Sequence, residues 1–358
     1  MKVALLHPCY WPEVRRGSER FLHDLATGLV ARGHEPTLIT SHAGPSSRTV
    51  EDGFEIVRHR RPRLERHLPE QWEDHLTHLP RSWRTLVRGD FDVAHAAFPT
   101  DGLLAARWSK RSGRRALLSY MGVPDRGWLD AARFRRAALR RALRGCVPIA
   151  LSQVAAREFR EELGIEAEVI YPGVDLDAFA PGPGRAAAPT IVCAAVPEER
   201  RKRVDLLVEA FALVRRELPD AQLVLNRPRD PALSASWEPV PGIELRNLDD
   251  RPDLAAAYRE AWVSVLPSTN EALGLVLVEA LACGTPVVGT NAFGIPEVID
   301  RPELGRLFEG GADDLARALL ETLELARDPA TADACRRRAM SFSTERMVDA
   351  YEDVYRRA

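Results

Sequence analysis

Residues 261–290, AWVSVLPSTNEALGLVLVEALACGTPVVGT, read as strand, loop, helix, strand. WVSVLP is a short apolar run that a proline ends, STNEA is polar, and the helical pattern starts near Gly274. A strand joined through a helix to another strand is the right-handed βαβ unit of a parallel sheet. Working outward, the same alternation recurs. KVALLHP, PTLIT, FDVAHAA and RALLSY precede it as strands, with ERFLHDLATGLVARG, DGLLAARWSKRSG and VAAREFREELG as helices between them. It pauses at PGVDLDAFAPGPGRAAAP, 172–189, where Pro, Gly and small residues collect. It then restarts with TIVCAAV, VDLLVEAFALVRRE, AQLVLN, GIELRNL and LAAAYREA. The pattern predicts two α/β domains, each a doubly wound parallel sheet, over 1–175 and 176–341, and a closing helix over 342–358. A central cleft, faced by the carboxyl ends of both sheets, is the expected ligand site.

The 358 residues suit two cores better than one. With 45% apolar and 28% charged residues the chain is a folded globular one, not a disordered one. No run of 18 apolar residues occurs, and MKVALLHPCYWP reads as a first strand, not a secretory leader. Cys9, Cys146, Cys193, Cys283 and Cys335 form no CxxC pair, so neither a zinc ribbon nor a disulfide framework is expected, and the cytosol is the expected compartment. The net charge of −2 divides into 28 Lys+Arg against 23 Asp+Glu through Ala178 and 22 against 29 after it. Neither balance suits a nucleic-acid partner. Lysine occurs only at 2, 110 and 202, so Lys202 stands out in EERRKR. Alone, it reads as one more solvated residue of a charge run. No GxGxxG follows a predicted strand, and P-loop, HExxH and GxSxG patterns are absent, which removes the usual dehydrogenase, nucleotide-hydrolase, metalloprotease and esterase signatures.

Glu279 lies between LGLVLV and ALAC, on a helix apolar nearly all round. A carboxylate there either holds hydroxyl donors, such as those of a ribose, or occupies a thin solvent stripe. Glu271, taken alone, reads as a helix-capping acid. Gly274 removes a side chain where a ligand would need close backbone approach, and the helix start beyond it suits a phosphate. His95 reads as packed at a strand end.

Glu271 and Glu279, with seven residues between them, resemble the E-x(7)-E signature of retaining glycosyltransferases of family 4, and GTPVVGTNAFGIPEVI matches downstream. VRRGSERFLHDLATGLVARGHEPTLIT, FDVAHAAFP, YPGVDLDAF, ERRKRVDLLVEAF and GRLFEGGADDLARALLETL resemble further landmarks of that family in order. The resemblance covers nearly the whole chain and implies the GT-B fold of two Rossmann-like domains, with the closing helix crossing back to the first. It implies that Glu271 meets donor-sugar hydroxyls and Glu279 the nucleotide ribose. It places backbone amides of Gly274 and Leu275 at the sugar and diphosphate, Lys202 on the diphosphate with Arg201 or Arg203 in support, and Gly17 in a loop closing over the phosphates. It also implies a nucleotide-diphosphate sugar donor (UDP first, then GDP), no metal or other cofactor, and retention of configuration by front-face attack.

Two positions depart from the family pattern. Met121, followed by Gly122, stands where the family has His-Gly, and Cys193-Ala194-Ala195 where it has Gly-Arg. They leave open a nucleotide-sugar-binding protein with weak or no transfer. The segment 63–84, with His67, His75 and His78 beyond His59, reads as an acceptor-side helix or lid, not a metal site. ARFRRAALRRALRG, 132–145, reads as an amphipathic helix packing its Ala/Leu side. Peripheral contact of Arg133–Arg144 with the inner membrane surface, serving a lipid-linked acceptor, is the alternative.

Overall fold

A computed structural model of the chain describes residues 1–14, 17–62, 76–130 and 133–357, apart from the side chains of 128 and 133. Two compact units emerge: Met1–Gly173 with Thr344–Ala358, and Val174–Ser343.

In unit 1 the chain runs β1 (Lys2–Leu6), α1 (Gly17–Ala31), β2 (Glu35–His42), β3 (Ser47–Glu51), β4 (Phe54–Arg60), α2 (Leu79–Arg88), β5 (Val93–Ala96), α3 (Pro99–Ser112) and β6 (Arg115–Tyr120). It continues through α4 (Arg126–Asp130), α5 (Arg133–Arg144), β7 (Val147–Ala150), α6 (Gln153–Glu158) and β8 (Glu168–Val169). The sheet order is β3-β4-β2-β1-β5-β6-β7-β8. Val3, Ala4, Leu5 and Leu6 are all buried, as expected for a central strand covered on both faces.

This sheet is not wholly parallel. β3 runs antiparallel on β4 at the edge. Asp52 and Gly53 between them hold φ of +48° and +84°, the two left-handed residues of a tight hairpin whose twist matches its strands.

Unit 2 runs β9 (Thr190–Cys193), α7 (Val204–Glu217), β10 (Gln222–Asn226), α8 (Pro231–Trp237), β11 (Ile243–Arg246), α9 (Arg251–Glu260), β12 (Val263–Leu266), α10 (Leu275–Ala282), β13 (Val287–Thr290), β14 (Gly305–Phe308), α11 (Ala312–Leu325) and α12 (Pro329–Ala339). Its order is β11-β10-β9-β12-β13-β14, every pair parallel.

The last helix, α13 (Thr344–Arg356), belongs to unit 1. Met347, Val348, Tyr351, Val354 and Tyr355, spaced at helical intervals, pack into one core with Phe21, Leu22 and Leu25 of α1. Glu352, buried, accepts from Arg32 at 2.9 Å and meets His34 Nε2 at 2.5 Å. Burial tends to raise the Glu352 carboxyl, but the hydrogen bond to His34 is the larger effect, and with Arg356 and Arg32 it holds the group below its ordinary range.

The segment 63–75, with His67 and His75, lies outside the described residues. His59 and His78 do not meet each other: His59 hydrogen-bonds Thr85 at 2.9 Å, and His78 pairs with Asp101 at 3.0 Å. In α5, Leu139, Ala142 and Leu143 are buried, Arg136 bonds Asp130 and Glu162, and Phe134 stays 49% exposed. No helix among the described residues is long and apolar enough to cross a membrane.

Candidate active site

In unit 2 the strand order reverses at β9, which has β10 on one side and β12 on the other. Connections from adjacent strands leave in opposite directions there, and their splayed loops open a crevice at the carboxyl ends. The loop after β9 carries Arg201, Lys202 and Arg203; the loop after β12 carries Glu271. Residues far apart in sequence are thus delivered to one place by topology alone.

Lys202 Nζ donates to Glu271 Oε1 at 2.5 Å, with only 13% and 14% of the two side chains exposed. Arg201 Nη1 donates to the same oxygen at 2.9 Å and to the Asn270 carbonyl at 2.8 Å, while Glu199 holds its Nη2 at 2.7 Å. Burial pushes the Glu271 carboxyl up, but Lys202 and Arg201 more than offset this and hold it below its ordinary range. The cluster thus sets two cations, Lys202 and Arg201, against two carboxylates, Glu271 and Glu199.

Arg203 takes a different position from its neighbours. It adopts φ of +48° after a single 3-10 turn, Arg200–Lys202, and points inward. Its Nε donates to the Pro267 carbonyl at 2.7 Å and its Nη2 to Thr290 Oγ1 at 3.0 Å, and the guanidinium lies 5.5 Å from the Phe308 ring centroid. Of the two arginines the sequence offered in support of Lys202, Arg201 stands beside Glu271, and Arg203 braces the ends of β12 and β13.

Gly274 caps α10 with φ of +97°, a conformation that costs other residues free energy. Leu275, half-buried, is the first helical residue, and Glu279 lies one turn on, 4% exposed. Tyr258, buried on α9, donates to Glu279 Oε2 at 3.5 Å. The remaining predicted residues belong to unit 1. Gly17, exposed, opens α1, Met121 follows β6 and packs against the core, and Gly122 lies beside Tyr120. His95 is buried in β5 between Ser119 and Tyr355.

Sequence reasoning passed over Glu199, Tyr258 and Gly294. The Gly294 amide donates to the Glu271 carbonyl at 3.0 Å, and a Cβ at this glycine would come within 2.0 Å of the Ala272 carbonyl oxygen. The signal was present in NAFGIPEV, where a glycine precedes a proline-started turn. Gly294→Ala is expected to displace the loop bearing Glu271 and to cost about 1–3 kcal/mol of stability in urea denaturation, while far-ultraviolet circular dichroism stays unchanged. Unaltered stability would show that the loop takes up the methyl group without strain.

Two doubly wound units, the second with cations and a carboxylate gathered at its switch point, define the GT-B class of fold. The family described as Glycosyltransferase Family 4 matches residues 15–178, and Glycosyl transferases group 1 matches 188–325. The chain belongs to glycosyltransferase family 4. It is 31% identical over 284 residues to the phosphatidyl-myo-inositol mannosyltransferase of Mycobacterium leprae, covering 76% of each chain. It is 32% identical to the D-inositol 3-phosphate glycosyltransferase of Corynebacterium kroppenstedtii over 53% of this chain and 49% of that one. The chain spans about half the length of the inositol phosphate transferases it matches. Among solved structures, sucrose-phosphate synthase from Thermosynechococcus elongatus superposes with a TM-score of 0.82 at 21% identity, covering 99% of this chain and 98% of that one. Anabaena HepE in complex with UDP-glucose superposes with a TM-score of 0.75 at 17% identity, covering 99% of both.

Proposed function

We propose that the protein transfers a sugar from a nucleotide-diphosphate sugar to a hydroxyl of a small-molecule, glycan or lipid-linked acceptor, with retention of configuration and without a metal ion. The observation that carries this reading is the convergence of Lys202 and Arg201 on Glu271 at the switch point of unit 2. A departing nucleoside diphosphate gains negative charge as the glycosidic bond breaks, and fixed cations aimed at it lower the barrier. Lys202 and Arg201 supply that charge, as a divalent ion does in metal-dependent enzymes. Glu271 accepts from hydroxyls of the donor sugar, and the amides at Gly274 and Leu275 meet the diphosphate. Glu279 accepts from the ribose hydroxyls. Attack comes from the face the diphosphate leaves, and the acceptor proton passes to the leaving phosphate oxygen. UDP is the favoured nucleotide and GDP the next.

The test is thermal stabilisation by UDP, GDP, ADP, dTDP and CMP, repeated with Glu279→Ala. A nucleotide present at 100 times its dissociation constant adds about 2.7 kcal/mol of stability. One nucleotide is expected to raise Tm, and the variant to lose most of that rise; no rise with any of them overturns the reading. The exposed Phe134 on the Arg-rich α5 supports a second reading, in which transfer takes place at an anionic membrane surface. Flotation with phosphatidylglycerol vesicles, but not with phosphatidylcholine vesicles, distinguishes it.

A further inference from the structure

The Arg-rich end of the stretch 63–84 continues into α2 and builds a cavity of its own in unit 1. Arg81, Arg84 and Arg88 recur at helical intervals, so α2 presents all three on one side, with no Asp or Glu anywhere along it. Beside them β3 and β4 form one edge of the sheet and contribute Arg48 and His59. Thr85, Gly89 and Phe91 complete a cavity of about 490 Å³, within the range that holds small ligands. Among the described residues its lining carries four guanidiniums and no carboxylate.

Little nearby offsets that charge. Arg48 meets Glu55 at 3.3 Å and Arg81 Nη1 donates to the Arg60 carbonyl at 2.7 Å, one nitrogen each. Arg84 and Arg88 have no hydrogen-bond or ion-pair partner among the described residues. Asp90, between the lining residues Gly89 and Phe91, is turned to Lys2 at 3.5 Å and Arg114 at 3.1 Å. Arg81 stands in the first turn of α2, where the helix dipole opposes a cation. His59 Nε2 meets Thr85 Oγ1 at 2.9 Å. Burial, then Arg81, His78 and Arg48, hold the His59 imidazole below its ordinary range, the last three marking a positive surrounding. Like charges so placed cost stability until an anion joins them.

We propose that this cavity binds a soluble phosphate-bearing solute, such as a sugar phosphate, through residues distinct from those of the donor site. Phosphate oxygens take paired N–H donors from planar guanidiniums, and Arg84 and Arg88 have all of theirs unengaged among the described residues. A membrane surface is the poorer occupant, because a helix lying on a bilayer needs an apolar face to insert. In α2 Leu86 is buried, Val87 is only 36% exposed, and the Arg107 guanidinium covers Trp83, 5.0 Å from its ring centroid. The cavity also reaches Gly89 and Phe91, in the loop that enters β5 at its amino end. Reacting groups in such folds gather at the carboxyl ends, so the bound solute is an effector and not a reactant.

Nuclear magnetic resonance of the full chain, enriched in ¹³C at histidine Cε1, tests this in about 0.15 M NaCl. An anion beside His59 favours its imidazolium, so inorganic phosphate and glucose 6-phosphate should each move the His59 resonance saturably, while that of the buried His95 stays. His59→Gln identifies the signal. The double variant Arg84→Gln with Arg88→Gln, both at exposed positions, should weaken the response at least tenfold. Glu279→Ala should leave it unaltered, which keeps failure of this site distinguishable from failure of the donor site. No movement of His59 with either solute, or movement unchanged in the double variant, overturns the proposal. Vesicles of phosphatidic acid in phosphatidylcholine separate the sources of phosphate. Flotation that the double variant abolishes, with His59 silent to both solutes, overturns the proposal in favour of a lipid surface.

Discussion

Lys202→Ala should lower kcat by roughly 10²–10³-fold, with a much smaller change in KM for the nucleotide sugar. Its ammonium is held by Glu271 at 2.5 Å, its backbone lies in a 3-10 turn, and the side chain is largely withdrawn from water. On the proposed reaction, a charge fixed in this way needs no reorganisation when the departing diphosphate gains negative charge. The stabilisation therefore falls on the transition state more than on the bound donor, which is the pattern of a kcat effect. Arg201 still contacts Glu271 in the variant, so the loop keeps an anchor and Tm should move little. Lys202→Arg should recover only part of the loss, because a planar fork cannot occupy the place of a compact ammonium. Steady-state kinetics with sugars of the nucleotide found by thermal shift is the measurement. A kcat within threefold of the parent would remove Lys202 from the reacting site.

The second large effect concerns acid. Stability should fall by about 1.4 kcal/mol per pH unit as pH drops below roughly 6.5, the ordinary range of an exposed histidine. His95 is the cause. It is buried in β5, with Nδ1 2.7 Å from Tyr355 Oη and Nε2 2.8 Å from Ser119 Oγ, and burial alone pushes its pKa down to about 3. The unfolded chain takes up a proton at this imidazole near neutrality, whereas the folded chain refuses it until about pH 3. The contribution is therefore fully present above pH 6.5 or so and is eroded downward to about 3. Tyr351, Tyr355 and Phe21 surround the ring, and both tyrosines are held protonated by burial, so neither supplies an anion to the cation. His59, lowered by burial and by Arg81, His78 and Arg48, adds a smaller slope of the same sign. Carboxylates held low, such as Glu352 and Glu51, begin to cost stability only below about pH 4.3; Glu158, raised by burial and by Glu161 and Glu162, contributes with the opposite sign above that, and His95→Gln leaves this contribution in place. Urea denaturation at pH 7, 5.5 and 4.5 should show the decline, and His95→Gln should flatten most of it. A parent protein equally stable at all three values would rule out a buried neutral imidazole.

Most of the parallel framework was legible because strands covered on both faces, such as TIVC and VSVL, read as unbroken apolar runs between amphipathic helices. The edge was not. β3 and β4 are half-polar, and their signal was the Asp-Gly pair at 52–53, which the search for crossovers passed over. At the candidate site, Glu271, Glu279 and Lys202 could be named from the sequence, but what each touches could not. Lys202 and Glu271 meet across 69 positions of chain because β9 and β12 are neighbours, and no local pattern records that. The division of labour between Arg201 and Arg203 was likewise hidden. It depends on one residue adopting a left-handed backbone, which turns adjacent side chains to opposite sides.

The return of α13 to the first core has a consequence for biosynthesis. A ribosome adding about 5–20 residues per second delivers all of unit 2 before the helix that completes unit 1 leaves the exit tunnel. For roughly ten to thirty seconds the earlier-made half waits with the groove for Tyr351 and Tyr355 uncovered, while the later-made half is already free to close. The earlier-made half thus buries this face of its core only after the whole of the later-made half has been synthesised.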